Sequence, residues 1–268
     1  MLSAVVQLSS QNDLAHNLET VARLVGQAAK AGATLIALPE NFAFMGADES
    51  EKLAIAEDLR SRGPIVSLLT SLAKEHAVHL VAGGMPEKSH DPKRPFNTSV
   101  YVSPKGEIGG VYRKIHLFDV DLADGTSLKE SNATHPGDDL VTVDLHPAIL
   151  GMSVCYDVRF PELYRKLGAL GARIVTVPAA FTMMTGKDHW HVLLRARAIE
   201  NQVFVLAPAQ CGRHPRGRQT YGKSLICDPW GDVLAQCAEG EGFAMANLDF
   251  AAQDRVRAQL PCLTHKRL

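Results

Sequence analysis

The chain has no Cys-x-x-Cys pair. Its five cysteines, Cys155, Cys211, Cys227, Cys237 and Cys262, are odd in number and irregularly spaced. That pattern argues against a disulfide framework and a zinc knuckle, and predicts a reduced, cytoplasmic setting. No apolar run reaches the roughly 18 residues needed to span a bilayer. The opening MLSAVVQLSS has no basic stretch ahead of a long apolar one, so no signal peptide is expected. Charge of one sign is not in excess either. The 28 Lys and Arg against 29 Asp and Glu leave a formal charge of −1, which gives no whole-protein case for nucleic acid or membrane partners. Clusters of His, Asp and Glu at metal-ligand spacing are missing. His189 and His191, two apart on one predicted helix, cannot share an ion. Neither a metal nor an organic cofactor is expected. What remains is ordinary globular composition, 46% hydrophobic and 21% charged, with no internal shift that marks a boundary. Residues 1–268 read as one domain.

Strands and helices alternate from the start, the pattern of an α/β fold. Ser3–Leu8 reads as a strand and Asn12–Ala31 as a helix, with Leu14, Leu18, Val21, Leu24 and Val25 on one buried face. Gly32 closes that helix and Thr34–Leu38 is the next strand. The unit recurs: strand Ala148–Val154, helix Pro161–Ala169, strand Arg173–Val177. Gly32-Ala33-Thr34-Leu35-Ile36-Ala37-Leu38-Pro39-Glu40-Asn41-Phe42 aligns without a gap on Gly171-Ala172-Arg173-Ile174-Val175-Thr176-Val177-Pro178-Ala179-Ala180-Phe181. Two such βαβ halves predict two related sheets packed face to face with helices outside; the alternative is a common helix-to-strand turn used twice. Further strands are expected at Val78–Ala82, Thr98–Val102 and Gly109–Tyr112, with an exposed loop over Pro86–Pro95. A helix over His189–Gln202 follows, then strands Val203–Ala207, Ser224–Cys227, Val233–Cys237 and Phe243–Leu248, two of them joined by the Pro229-Trp230-Gly231 turn.

Reactive groups in open α/β sheets collect beyond the carboxyl ends of strands. Glu40, Lys114 and Cys155 each follow a predicted strand. Cys155 stands ahead of a helix opening at Pro161, whose terminus would favour the thiolate; a buried core cysteine is the other reading. No histidine sits clearly at a strand end. His116 follows Lys114 by two residues and would face the opposite way on a continuing strand. Glu40 can act as base if burial raises its pKa toward neutrality, and Lys114 offers a fixed positive charge for a developing oxyanion. For each of these two, a surface turn or an exposed basic pair is the plainer alternative.

The blocks Leu38-Pro39-Glu40, Tyr112-Arg113-Lys114-Ile115-His116-Leu117-Phe118 and Cys155-Tyr156-Asp157-Val158-Arg159-Phe160-Pro161-Glu162-Leu163 resemble the nitrilase superfamily of carbon–nitrogen hydrolases, in that family's order and over essentially the whole chain. The resemblance implies a Glu–Lys–Cys triad at Glu40, Lys114 and Cys155, and a second, positioning glutamate at Glu130, which spacing alone does not pick out. It implies a four-layer α-β-β-α sandwich of two pseudo-symmetric mixed β-sheets, and a homodimer or higher homo-oligomer. Phe181, Thr182 and Thr185 become pocket-wall expectations, joined by Tyr156 and His189.

Finer stretches resemble one amidase branch of that family, the deaminated glutathione amidases: Glu130–Gly137, Thr185–Trp190, Leu194–Glu200 and Ala209–His214. That branch implies a small amide bearing two carboxylates. Arg213, with His214, Arg216 and Arg218, makes a basic cluster suited to bind them, or else a solvated basic loop. An omega-amidase acting on 2-oxoglutaramate is the nearest rival. A non-catalytic scaffold of the same fold would be expected to lose Glu40, Lys114 or Cys155, and all three are present.

Overall fold

Local sequence signals set the start of each N-terminal element. In the computed structural model, which describes residues 1–121 and 127–267, strand β1 (Leu2–Leu8) leads through helix α1 (Leu14–Lys30) to strand β2 (Leu35–Leu38). The helix begins after Asn12 because Asp13 caps it, its carboxylate accepting the His16 N–H at 3.0 Å. Val21, Leu24, Val25 and Ala28 are buried, and Leu14 and Leu18 pack at the rim of the same face.

Helix α2 (Pro64–His76) is missing from the sequence expectations. Pro64 occupies its first turn, and Glu57 satisfies its free N–H groups, accepting from Ile65 at 2.6 Å and Val66 at 3.0 Å. Strands β3 (His79–Glu87), β4 (Phe96–Val102) and β5 (Ile108–Arg113) follow. The loop expected over Pro86–Pro95 therefore begins later. Pro86 and Glu87 belong to β3 and are buried, because Glu87 pairs with Arg113 at 2.7 Å and accepts from Thr98 at 2.7 Å.

A short ribbon, β6 (Asp119–Asp121) with β7 (Ser127–Lys129), precedes β8 (Thr142–Asp144), β9 (Ile149–Met152), α3 (Pro161–Ala169) and β10 (Ala172–Thr176). Helix α4 (Met183–Asn201) starts six residues before His189, where Thr182 caps it. The chain closes with β11 (Phe204–Ala207), β12 (Ala209–Arg213), β13 (Gln219–Tyr221), β14 (Leu225–Cys227), β15 (Val233–Gln236), β16 (Gly242–Asn247) and α5 (Phe250–Gln259).

The internal repeat is real in three dimensions. Strands β1, β2 and β3 run parallel, and β4 and β5 add antiparallel. Strands β9, β10 and β11 likewise run parallel, and β14 and β15 add antiparallel. Helices α1 and α2 of the first half thus correspond to α3 and α4 of the second. Alternation along β1 and β2 fixes the layers. Val5, Leu35 and Ala37 join the core shared with Leu150, Met152, Ile174 and Leu206 of the second sheet, whereas Ala4, Val6, Ile36 and Leu38 pack against Val21, Leu24, Ile65 and Leu69 of α1 and α2. The order is helices, sheet, sheet, helices, the predicted α-β-β-α sandwich.

Strand β3 is bent at Gly83-Gly84, where its register with β4 shifts. A Cβ on Gly83 would overlap Pro178, and one on Gly84, at φ +68°, would press on Glu40 and Asn97. The two glycines therefore let Glu40 and the second half approach. Gly84→Ala should destabilise the protein by about 1–3 kcal/mol, read as a lowered Tm in thermal unfolding. An unchanged Tm would mean the strand can yield at this bend.

Candidate active site

The ends of β2, β5 and β9 meet in the middle of the sandwich. Glu40, Lys114 and Cys155 are each buried there, at 4%, 2% and 8% exposure. Charges so deep must be paired, and these are. Lys114 Nζ lies 2.9 Å from Glu40 Oε1 and 2.8 Å from Glu130 Oε2. Asn97 donates to both carboxylates, at 2.9 Å to Glu40 and 3.1 Å to Glu130. Backbone N–H groups complete the set: Ala180 donates to Glu40 Oε2 at 2.9 Å and Phe118 to Glu130 Oε2 at 2.7 Å. The three strand-end residues and Glu130 are thus brought into one cluster.

Two carboxylates and one ammonium leave this cluster with an excess negative charge before the thiol is counted. Burial pulls the Lys114 pKa down, but Glu130, Glu40 and Cys155 outweigh it and hold the ammonium well above its usual range. For Glu40, burial acts upward, yet the charge and hydrogen bond of Lys114, with smaller help from Cys155 and Asn97, leave its pKa below the ordinary 4.5. This corrects the expectation of a base tuned upward by burial. Cys155 is raised well above 9.0, by burial first and Glu40 second, against a smaller lowering by Lys114. It rests as a thiol. The expected thiolate is disfavoured because it would be a further negative charge in a buried site beside Glu40. Helix α3 also starts at Pro161, six residues beyond Cys155, with the turn containing Asp157 between them.

Cys155 has φ +48°, a left-handed conformation rare for residues other than glycine. The turn is pinned from both sides. Its N–H donates to the Pro178 carbonyl at 2.8 Å. Asp157, fully buried, accepts from the Val154 N–H at 2.8 Å and the Tyr112 hydroxyl at 2.6 Å. His116 is drawn into the same support, with Nδ1 2.7 Å from Asp157 Oδ1 and its ring stacked on Phe160 at 3.7 Å between centroids. His116 thus buttresses the turn.

A pocket open to solvent lies over the cluster. Tyr156, Phe181, Thr182 and Thr185 line it, as expected from the sequence. His189 does not. It is exposed on α4 and reaches the pocket only through Arg159, whose Nη1 is 3.3 Å from its Nδ1. Arg213 is also exposed and outside the lining; of the basic cluster, Arg218 supplies the guanidinium that faces the cavity. Arg213 ends β12, whereas Arg218 lies in the turn just before β13. Arg159, Asn97, Ala180, Glu49 and Lys52 line the pocket without having been singled out. The Arg159 guanidinium lies over the rings of Phe181, at 5.2 Å, and Tyr156, at 5.9 Å. Among the described residues, no three His, Cys, Asp or Glu side chains are grouped to hold a metal ion.

Known proteins resemble this chain in sequence and in fold. A family model described as carbon-nitrogen hydrolase matches residues 2–258. The chain is 43% identical to the deaminated glutathione amidase of Homo sapiens, covering 99% of this chain and 82% of that protein. It is 42% identical to the deaminated glutathione amidase of Synechocystis sp., covering 99% and 97%. The crystal structure of Saccharomyces cerevisiae Nit3, a member of branch 10 of the nitrilase superfamily, superposes with a TM-score of 0.89 at 31% identity, covering 97% of this chain and 94% of that one.

The charge balance fixes how the thiol responds to pH. Because the folded-state pKa of Cys155 is raised, alkylation by iodoacetamide should keep rising with pH through neutrality and beyond 9.0. Glu40→Gln removes a negative neighbour and should shift the profile to lower pH; Lys114→Met removes the positive one and should shift it higher. Peptide mass spectrometry of the modified cysteine gives the profile, and a plateau already reached near neutral pH would contradict the protonated resting state.

Proposed function

This chain belongs to the carbon–nitrogen hydrolase family, and from that premise we propose that it is an amidase that cleaves deaminated glutathione to 2-oxoglutarate and cysteinylglycine through a thioester on Cys155. The observation that carries the reading is a buried thiol, carboxylate and ammonium at the floor of a cavity whose wall presents further cations. The substrate is drawn from relatives of that name matched over 99% of this chain.

In the proposed reaction Cys155 Sγ attacks the amide carbonyl as Glu40 takes its proton. Glu40 is suited to this because its pKa is held low and its charge acts on the neighbouring thiol. Negative charge then builds on the carbonyl oxygen. Lys114 answers it together with the Tyr156 N–H, which lies in the first turn after Cys155, where backbone donors lack an acceptor of their own. Glu40 returns the proton to the departing nitrogen as the carbon–nitrogen bond breaks. Water, deprotonated by the same carboxylate, hydrolyses the thioester and restores the thiol. Glu130 and Asn97 hold Lys114 and Glu40 in register throughout. Arg159, braced over two aromatic rings, is placed to meet the carboxylate of the acyl portion.

The same reading takes in a homo-oligomer and a cytoplasmic setting. Val192 and Ile199 on α4 and Trp230 on the β14–β15 turn are exposed, with Ile199 lying beside Gly231, an apolar face suited to another copy of this chain. All five cysteines are free, in keeping with a reducing compartment. Among the described residues, no helix is long and apolar enough to cross a membrane.

Cys155→Ala should lower kcat/KM for the preferred amide on the order of 10⁴-fold or more while leaving the Tm close to that of the unmodified protein. Full activity in that variant would remove the mechanism. Deaminated glutathione and 2-oxoglutaramate, assayed side by side, decide the substrate. A higher kcat/KM for the larger amide is expected, and a preference for the smaller one, with ammonia released, would make the protein an omega-amidase.

A further inference from the structure

The outer end of the pocket holds an ion-pair group that the reaction scheme does not use. Glu49, which opens the turn Glu49–Ile55, pairs with Lys52 at 2.7 Å and with Arg218 at 3.0 Å. All three line the same cavity as Cys155. Their settings differ. Lys52 is 14% exposed and also donates to the fully buried Thr134 at 2.8 Å, and Arg218 is 25% exposed, whereas the Glu49 side chain is 35% exposed. The cations are built into the wall, and Glu49 has the most exposed side chain of the three. Arg218 Nε is buried without any hydrogen-bond partner, a donor left vacant even with Glu49 in place. A wider, open cleft is also lined by Glu49 and Arg218.

We infer that Glu49 is an internal stand-in for a substrate carboxylate: it holds Lys52 and Arg218 in position and gives way when the carboxylate of the leaving group pairs with them. The inference rests on the proposed substrate, and it assigns the two ends of that molecule to different cations. Charge bookkeeping supports it. The cavity is lined by Lys52, Lys114, Arg159 and Arg218 against Glu40, Glu49 and Glu130, an excess of one positive charge. Moving Glu49 aside raises the excess to two, which the two carboxylates of deaminated glutathione neutralise. Burial works to raise the Glu49 carboxyl, but Lys52 and Arg218 hold it at about 2, so it is an anion throughout the neutral range and the exchange is of one carboxylate for another.

The test compares deaminated glutathione with its methyl ester at the glycine carboxylate, in the unmodified protein and in Glu49→Gln, Lys52→Met and Arg218→Gln. The unmodified protein should favour the free acid by about tenfold in kcat/KM, carried by KM. Lys52→Met and Arg218→Gln should shrink that preference toward one. Glu49→Gln should enlarge it, because the competing carboxylate is gone. If Glu49 only clips the two loops together, Glu49→Gln will shrink the preference as Arg218→Gln does, and the inference is overturned. A preference unchanged in all three variants overturns it equally. Binding of N-acetyl-cysteinylglycine and its methyl ester, measured by calorimetry, gives the same comparison without turnover. A protein that hydrolyses neither amide therefore refutes the proposed substrate alone, and the calorimetric acid-to-ester ratios decide the role of Glu49.

Discussion

Lys114 held between two buried carboxylates is the contact on which the rest of the site depends. An ammonium at this depth is tolerable only with both partners, and removing either would strand charge in the interior, an effect commonly of 3–5 kcal/mol. The partners come from far apart in the chain: Glu40 from the end of β2, Glu130 from a turn after β7, and Lys114 from the end of β5. Burying this trio ties the first sheet to the long connection that follows it. Asn97 and the N–H groups of Ala180 and Phe118 occupy the remaining acceptor positions, so each carboxylate is held in one orientation.

The repeat supplies the frame, and its two copies have diverged. Pro39-Glu40-Asn41 in the first half corresponds to Pro178-Ala179-Ala180 in the second. The first copy contributes a carboxylate. The second contributes backbone: the Ala180 N–H holds that carboxylate, and the Pro178 carbonyl holds the N–H of Cys155. One half carries the charge and the other positions it. Gly83-Gly84 matters for the same reason, since any larger residue would keep Pro178 and Glu40 from their places.

Much of this was legible in the chain because it is local. Hydrophobic spacing gave α1, α3 and most of the strands, and the gap-free repeat gave the two-sheet frame. Strand ends gave Glu40, Lys114 and Cys155. Helix α2 was equally legible, from Pro64 and from Ile65, Leu69 and Leu72 at helical spacing, and the second half's α4 called for it by symmetry. Other features were not local. Glu130 and Asn97 meet Lys114 and Glu40 through the fold, and nothing in their neighbours marks them. A basic loop is visible as composition, but only the fold shows that Arg218 lines the pocket while Arg213 is exposed outside it. Protonation was the least legible of all. Position ahead of a helix predicted a thiolate, and burial a raised carboxyl; burial and Glu40 reversed the first, and Lys114 the second.

A thiol that stays protonated at rest has a value apart from turnover. Peroxide and adventitious electrophiles react with thiolates far more readily than with thiols. In the proposed reaction Cys155 becomes a strong nucleophile only when an amide occupies the cavity and gives the emerging negative charge somewhere to go. Under that scheme burial, with Glu40 beside it, serves as a safety catch between turnovers.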